Sequence, residues 1–144
     1  MPIPAAASQA PRNRPRSVVA VLAGAALVMA LSVGTDELLH LAHVFPGWGY
    51  PMPEPALNGL ALAYRLAFTV AGASLTAHLA PRNAWRHVWA FAAIGFGLGG
   101  VGAIATLPMH LGPAWYPIAV ALLSWPGAWL GGLAYRAVRR PARA

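Results

Sequence analysis

Cysteine and lysine are both missing from this chain of 144 residues, and only three acidic residues occur, Asp36, Glu37 and Glu54. Without cysteine there is no disulfide, no thiolate nucleophile and no Cys-ligated zinc or iron–sulfur site, so a metal would have to use histidine, carboxylate or methionine. Charge of either sign is scarce. Charged residues make up 9% of the chain, against about a quarter in soluble domains. Hydrophobic residues make up 58% and the mean hydropathy is +0.57, which is the composition of a membrane protein. The net charge of +7 comes from arginine alone. Those arginines sit in short clusters beside apolar runs, not along a basic helix, so nucleic acid is not expected as a partner.

What is present is long apolar runs. The stretch 17–35 holds 19 residues without a charge, or roughly 28 Å of helix, close to the hydrocarbon thickness of a bilayer. Further spans are expected at about 56–80, 87–107 and 117–135, with 1–16 as a disordered tail and 136–144 as a basic tail. The apolar part of the first run is longer than the core of a cleaved signal peptide, which is typically about 7–15 residues, so span 1 is expected to be retained. Arg12, Arg14 and Arg16, then Arg82 and Arg86, then Arg136, Arg139, Arg140 and Arg143 all fall on one side of this arrangement. By the positive-inside bias that side is the cytoplasm, and both tails lie there. The acidic residues all fall on the outer side. Trp48, Tyr50, Trp115 and Tyr116 mark the outer interface, and Trp85, Trp89 and Tyr135 the inner one.

Close helix approach is expected through small residues, since lipid offers no hydrophobic drive between helices. Gly95, Gly99 and Gly102 share one face of span 3, and Gly127 and Gly131 one face of span 4. Either set suits a helix of the same chain or of a second subunit. Pro126 predicts a kink in span 4. The run GLGGVG at 97–102 matches G-x-G-x-x-G only literally, because that fingerprint needs an acidic residue downstream, and none follows Glu54.

The polar residues concentrate in GTDELLHLAHVFPGWG. On a helix, Asp36, Glu37, His40 and His43 occupy a sector of about 120°, so the segment reads as an amphipathic helix at the outer interface. It is either an extension of span 1 or a separate interfacial helix, ended by Pro46-Gly47. Span 2 carries a matching polar stripe of Asn58, Arg65, Thr69, Gly72 and Thr76. Arg65 lies 17 residues from Arg82, and Asp36 lies 20 residues from Arg16, or roughly 25 and 30 Å of helix, so both sit at similar depth near the outer boundary. An arginine in the hydrocarbon faces the bundle interior, snorkels or pairs with an acid, and Asp36 or Glu37 is the expected partner. The pair reads as a structural ion pair fixing the register of spans 1 and 2, or as a substrate or proton site.

A metal site is a further candidate. Asp36, His40 and His43 at i, i+4 and i+7 would present one oxygen and two imidazoles, with His110 as a fourth ligand; the plainer reading is a solvated polar face. No cofactor is otherwise expected. His78 and His87 do not suit a bis-His haem site inside the bundle, and no serine has a His–acid pair at its depth.

The succession GTDELLHLAHVFPGWG, LALAYRLAFTVAG and HLAPRNAWRHVW resembles uncharacterised four-span inner-membrane proteins of high-GC proteobacteria, over about residues 34–90. The resemblance implies a bacterial inner-membrane location and brings no activity, ligand or catalytic residue. The expected fold is all-α, a polytopic four-transmembrane-helix bundle with an amphipathic helix at the outer interface after span 1. Its expected partners are the lipid bilayer and either further copies of itself or other membrane proteins. The expected function is that of a non-enzymatic structural or accessory component, packing with itself or with a larger membrane complex. The alternative is an oligomeric small-solute, metal or proton-linked transporter using the polar face of span 2 and the outer Asp/Glu/His cluster.

Overall fold

The computed structural model describes residues 14–139, whose regular structure is entirely helical. Four long helices, α1 (Arg14–Leu41), α2 (Pro55–Leu79), α3 (Ala84–Thr106) and α4 (Trp115–Arg139), are joined by short connections, one holding a 3-10 turn at Leu107–Met109. Each is long and apolar enough to cross a membrane, with mean hydropathy of 1.4 to 2.3 over its most apolar stretch.

The helix ends differ from the sequence expectation. α1 does not stop near residue 35 but runs unbroken for 28 residues, roughly 42 Å. The amphipathic segment is therefore the last turns of α1 and not a separate interfacial helix. Residues 14–16, expected in the tail, are helical, and Arg136 and Arg139 lie on α4 instead of in a basic tail. Residues 1–13 and 140–144, with Arg12, Arg140 and Arg143, lie outside the described residues.

Local chemistry sets these boundaries. Pro55 opens α2, where its missing N–H would have had no partner in any case. Ala80 turns extended before Pro81 and closes the helix. Asn83, with φ 44°, precedes α3. α4 is continuous through Pro126, and the following Gly127 is buried.

The principal packing pairs are α1 with α2, α2 with α4, and α3 with α4, with lesser α2–α3 and α1–α3 contacts. Around the bundle the order is thus α1, α2, α4, α3, which makes α2 and α4 parallel neighbours. The end carrying Arg14, Arg82, Arg86, Arg136 and Arg139 is called the basic end, and that carrying Asp36, Glu37 and Glu54 the acidic end.

Small residues make the contacts. A Cβ on Gly24 would stand 2.5 Å from the carbonyl oxygen of Gly72, and one on Gly72 would stand 2.7 Å from the carbonyl of Gly24, so α1 and α2 touch backbone to backbone. On α4, a Cβ on Gly131 would meet the Val70 carbonyl at 2.5 Å, and one on Gly127 would meet the Thr69 methyl at 2.7 Å. Gly95 and Gly99 of α3 approach Ser124 and Ala121 of α4, whereas Gly97, Gly100 and Gly102 face open space. The glycine faces of α3 and α4 are therefore filled within the chain, except at Gly102.

The interior follows from this. Its core, in the basic half, is Val21, Ala73, Ala77, Val88, Phe91, Ala92 and Ala128. Large apolar side chains point outward instead, among them Leu22, Leu98, Ile104 and Leu122. That is the reverse of a water-soluble domain, where an apolar surface this extensive marks contact with a partner or a membrane. Substituting Gly131→Ala is expected to destabilise the bundle by about 1–3 kcal/mol through overpacking against a backbone oxygen. Gly97→Ala should be neutral or stabilising, since it adds helix propensity in open space. Melting in detergent followed by circular dichroism distinguishes the two, and equal melting temperatures would refute the tight α2–α4 contact.

Candidate functional site

At the acidic end a cavity of about 380 Å³ opens between the last turns of α1, the first turns of α2, the start of α4 and the two adjoining loops. Its polar lining includes Asp36, His40, Asn58, Arg65, His110 and Tyr116. Its wall is organised by Arg65, whose Nη2 donates to Asp36 Oδ2 at 2.5 Å. The second amino group, Nη1, donates to the Tyr116 hydroxyl, and the Tyr64 hydroxyl donates to Asp36 Oδ1. The guanidinium also lies 5.4 Å from the Tyr64 ring centroid, within range of a cation–π contact. One cation thereby links α1, α2 and α4, with its side chain 24% exposed and that of Asp36 14% exposed.

Depth counting brings Arg65 to Asp36, and they do meet. Glu37 does not join them. It accepts a hydrogen bond from Trp48 Nε1 at 3.0 Å, and Trp48 stacks flat on His40 with centroids 4.1 Å apart. Phe45, buried, meets His40 edge-on at 5.6 Å. The loop after α1 is thus folded back over its end. His40 Nδ1 donates to the Asp36 carbonyl at 2.7 Å, because a carbonyl can only accept; in the neutral ring this leaves Nε2 as the acceptor.

His43 is not on the helical face assigned to it, because α1 ends before it. It occupies the left-handed position with φ 55°. The N–H of Val44 bonds the Leu39 carbonyl at 2.9 Å and that of His43 the His40 carbonyl at 3.0 Å, the pairing of a Schellman C-cap. Its role there is in the backbone. His110 has a similar place after the 3-10 turn, with φ 52° and Nδ1 donating to the Pro108 carbonyl at 2.8 Å. The helix stop expected at Pro46-Gly47 is therefore supplied earlier, by this cap.

The metal set Asp36, His40, His43 and His110 is not assembled. Both Asp36 oxygens are engaged, His43 is outside the cavity lining, and among the described residues no three His, Cys, Asp or Glu are placed to hold an ion. An engaged carboxylate and an imidazole bonded to its own helix do not make a poised general base either.

The rest of the α2 stripe turns inward but serves packing. Asn58 is buried at 1% exposure and donates from Nδ2 to the Met52 carbonyl at 2.8 Å and the Glu54 carbonyl at 2.9 Å. Met52 N–H in turn bonds the Leu111 carbonyl at 2.6 Å, joining the two loops of the acidic end. Thr69 donates to the Arg65 carbonyl at 2.7 Å and sets its methyl against Gly127, away from the cavity. Thr76 is fully buried between α1 and α2, its hydroxyl unpartnered.

Tyr64 and Tyr116 are the site residues that sequence reasoning missed. Tyr116 opens the fourth span at the depth of Arg65, which was the available signal; Tyr64 precedes Arg65 directly and falls outside the stripe by periodicity. No protein-family model, curated protein or solved structure matches the chain.

Removing one member of a half-buried ion pair strands the other. Arg65→Ala is therefore expected to lower folded yield and melting temperature more than Arg82→Ala, by about 2–3 kcal/mol. The double variant Asp36→Ala/Arg65→Ala should lose less than the sum of the singles. Wild-type yields for both single arginine variants would remove the pair as a determinant of the fold.

Proposed function

We propose that the chain is a small integral protein of a bacterial inner membrane, with both termini in the cytoplasm, acting as a non-enzymatic structural or accessory component that packs with itself or with a larger membrane complex. The observation that carries this reading is the closure of the α2 stripe below Arg65. Thr69 faces Gly127, Gly72 faces Gly24 and Val28, and the core of the basic half is sealed by Ala73, Ala77, Val88 and Phe91. A polar face consumed by helix contacts supports a fixed bundle. The outer cavity favours the second reading, an oligomeric small-solute, metal or proton-linked transporter, but beneath its polar lining the interior is tightly packed.

Two measurements test the proposal. Purified protein in sealed liposomes is expected to give no proton, Zn²⁺ or small-solute flux above empty liposomes, and flux that depends on Arg65 would favour the transporter. For orientation, the cysteine-free chain accepts single reporters. A Glu54→Cys variant should react in intact cells with a membrane-impermeant maleimide that has been admitted to the periplasm, while Arg139→Cys should react only after lysis. The reverse pattern would invert the topology.

A further inference from the structure

At the basic end, α1 and α3 stand apart and leave a groove of about 770 Å³ between them. We propose that this groove is a binding site for an anionic phospholipid, whose phosphate is held at the rim by Arg14, Arg82 and Arg86 and whose acyl chain lies in the apolar trough below.

The trough is built by two helical faces in matching register. Val18, Val21 and Leu22 follow Arg14 on α1, and Ala90 and Ile94 follow Arg86 on α3, all lining the same groove. From Arg14 to Leu22 and from Arg86 to Ile94 the helices rise roughly 12 Å, so the apolar wall runs from the charged rim well into the hydrocarbon layer. Val18, Leu22 and Ile94 are exposed, so the groove is open sideways to lipid. A charged rim over an apolar trough matches one amphiphile of that polarity.

The sign of the headgroup follows from charge. All three rim arginines are exposed, and every Asp and Glu of the chain lies at the opposite end. Among the described residues the single ion pair is Arg65–Asp36, so no carboxylate side chain answers the rim. The same end of a second copy is cationic too, which makes it a poor occupant. Basic pockets between membrane helices on the cytoplasmic side suit acidic headgroups, and arginine forks onto phosphate.

The inference rests on the chain's being membrane-embedded, so the experiment separates that premise from lipid choice. Full-length protein is reconstituted into phosphatidylcholine vesicles and floated; failure to float after alkaline washing overturns the embedding and the inference together. In floated samples, spin-labelled phosphatidylglycerol and spin-labelled phosphatidylcholine are compared by their motionally restricted fractions. The expected result is preference for phosphatidylglycerol that falls roughly fivefold or more in Arg82→Gln/Arg86→Gln. Ala90→Phe, which fills the trough and keeps every charge, should abolish the same preference. Arg136→Gln/Arg139→Gln, at the same end but outside the groove, should preserve it. Equal retention of the two lipids, an equal loss in the Arg136/Arg139 variant, or an unchanged preference in Ala90→Phe would overturn the site.

Discussion

A guanidinium held among apolar helices has to be answered, and the acidic half of this bundle is arranged around that requirement at Arg65. Its two amino groups reach Asp36 on α1 and Tyr116 on α4, and Tyr64 closes the remaining Asp36 oxygen. Three of the four helices are thereby held at a common depth by one side chain. The extension of α1 beyond residue 35 has its reason here, since Asp36 must stay on a rigid element to meet Arg65. The loop that follows is secured in turn by the Trp48 stack on His40 and the Glu37 hydrogen bond.

The basic half relies on different physics. Where helices face lipid, whose tails are as apolar as leucine, nothing is gained by hiding large side chains, and association depends on how closely backbones approach. Gly24 with Gly72 and Gly131 with Val70 provide that approach, while alanines fill the interior and large residues are left facing outward. Polar satisfaction holds one end of the molecule and contact distance holds the other.

Axial position is legible in the sequence, and neighbour order around the bundle is not. Rise per residue is a constant, so counting from the arginine clusters puts Arg65 and Asp36 at similar depth, and the uncharged apolar runs locate four spans. Periodicity also turned Asn58 and Thr76 inward. Periodicity does not tell which helix each faces, so Gly72 falls in the polar stripe although its partner is the backbone of Gly24, and Glu37 is at the depth of Arg65 although it serves Trp48. The spacing that carries Asp36 and His40 continues through His43 and implies a helical face there; the cap that ends α1 depends on backbone angles that side-chain spacing does not record. Tyr116 was visible as an interfacial aromatic, but its contact with Arg65 requires α4 to adjoin α2, a parallel pairing that the chain order does not suggest.

That pairing has an electrostatic consequence. In a bundle whose neighbours all run antiparallel, helix dipoles alternate around the ring and largely cancel at each end. Here the order α1, α2, α4, α3 puts two amino termini side by side and two carboxyl termini side by side at the basic end. The basic end is thus polarised across its width, positive toward α1 and α3 and negative toward α2 and α4, and the sense reverses at the acidic end. Arg136 and Arg139 sit on the side where carbonyl ends can accept them, whereas Arg14, Arg82 and Arg86 add to a field that is already positive.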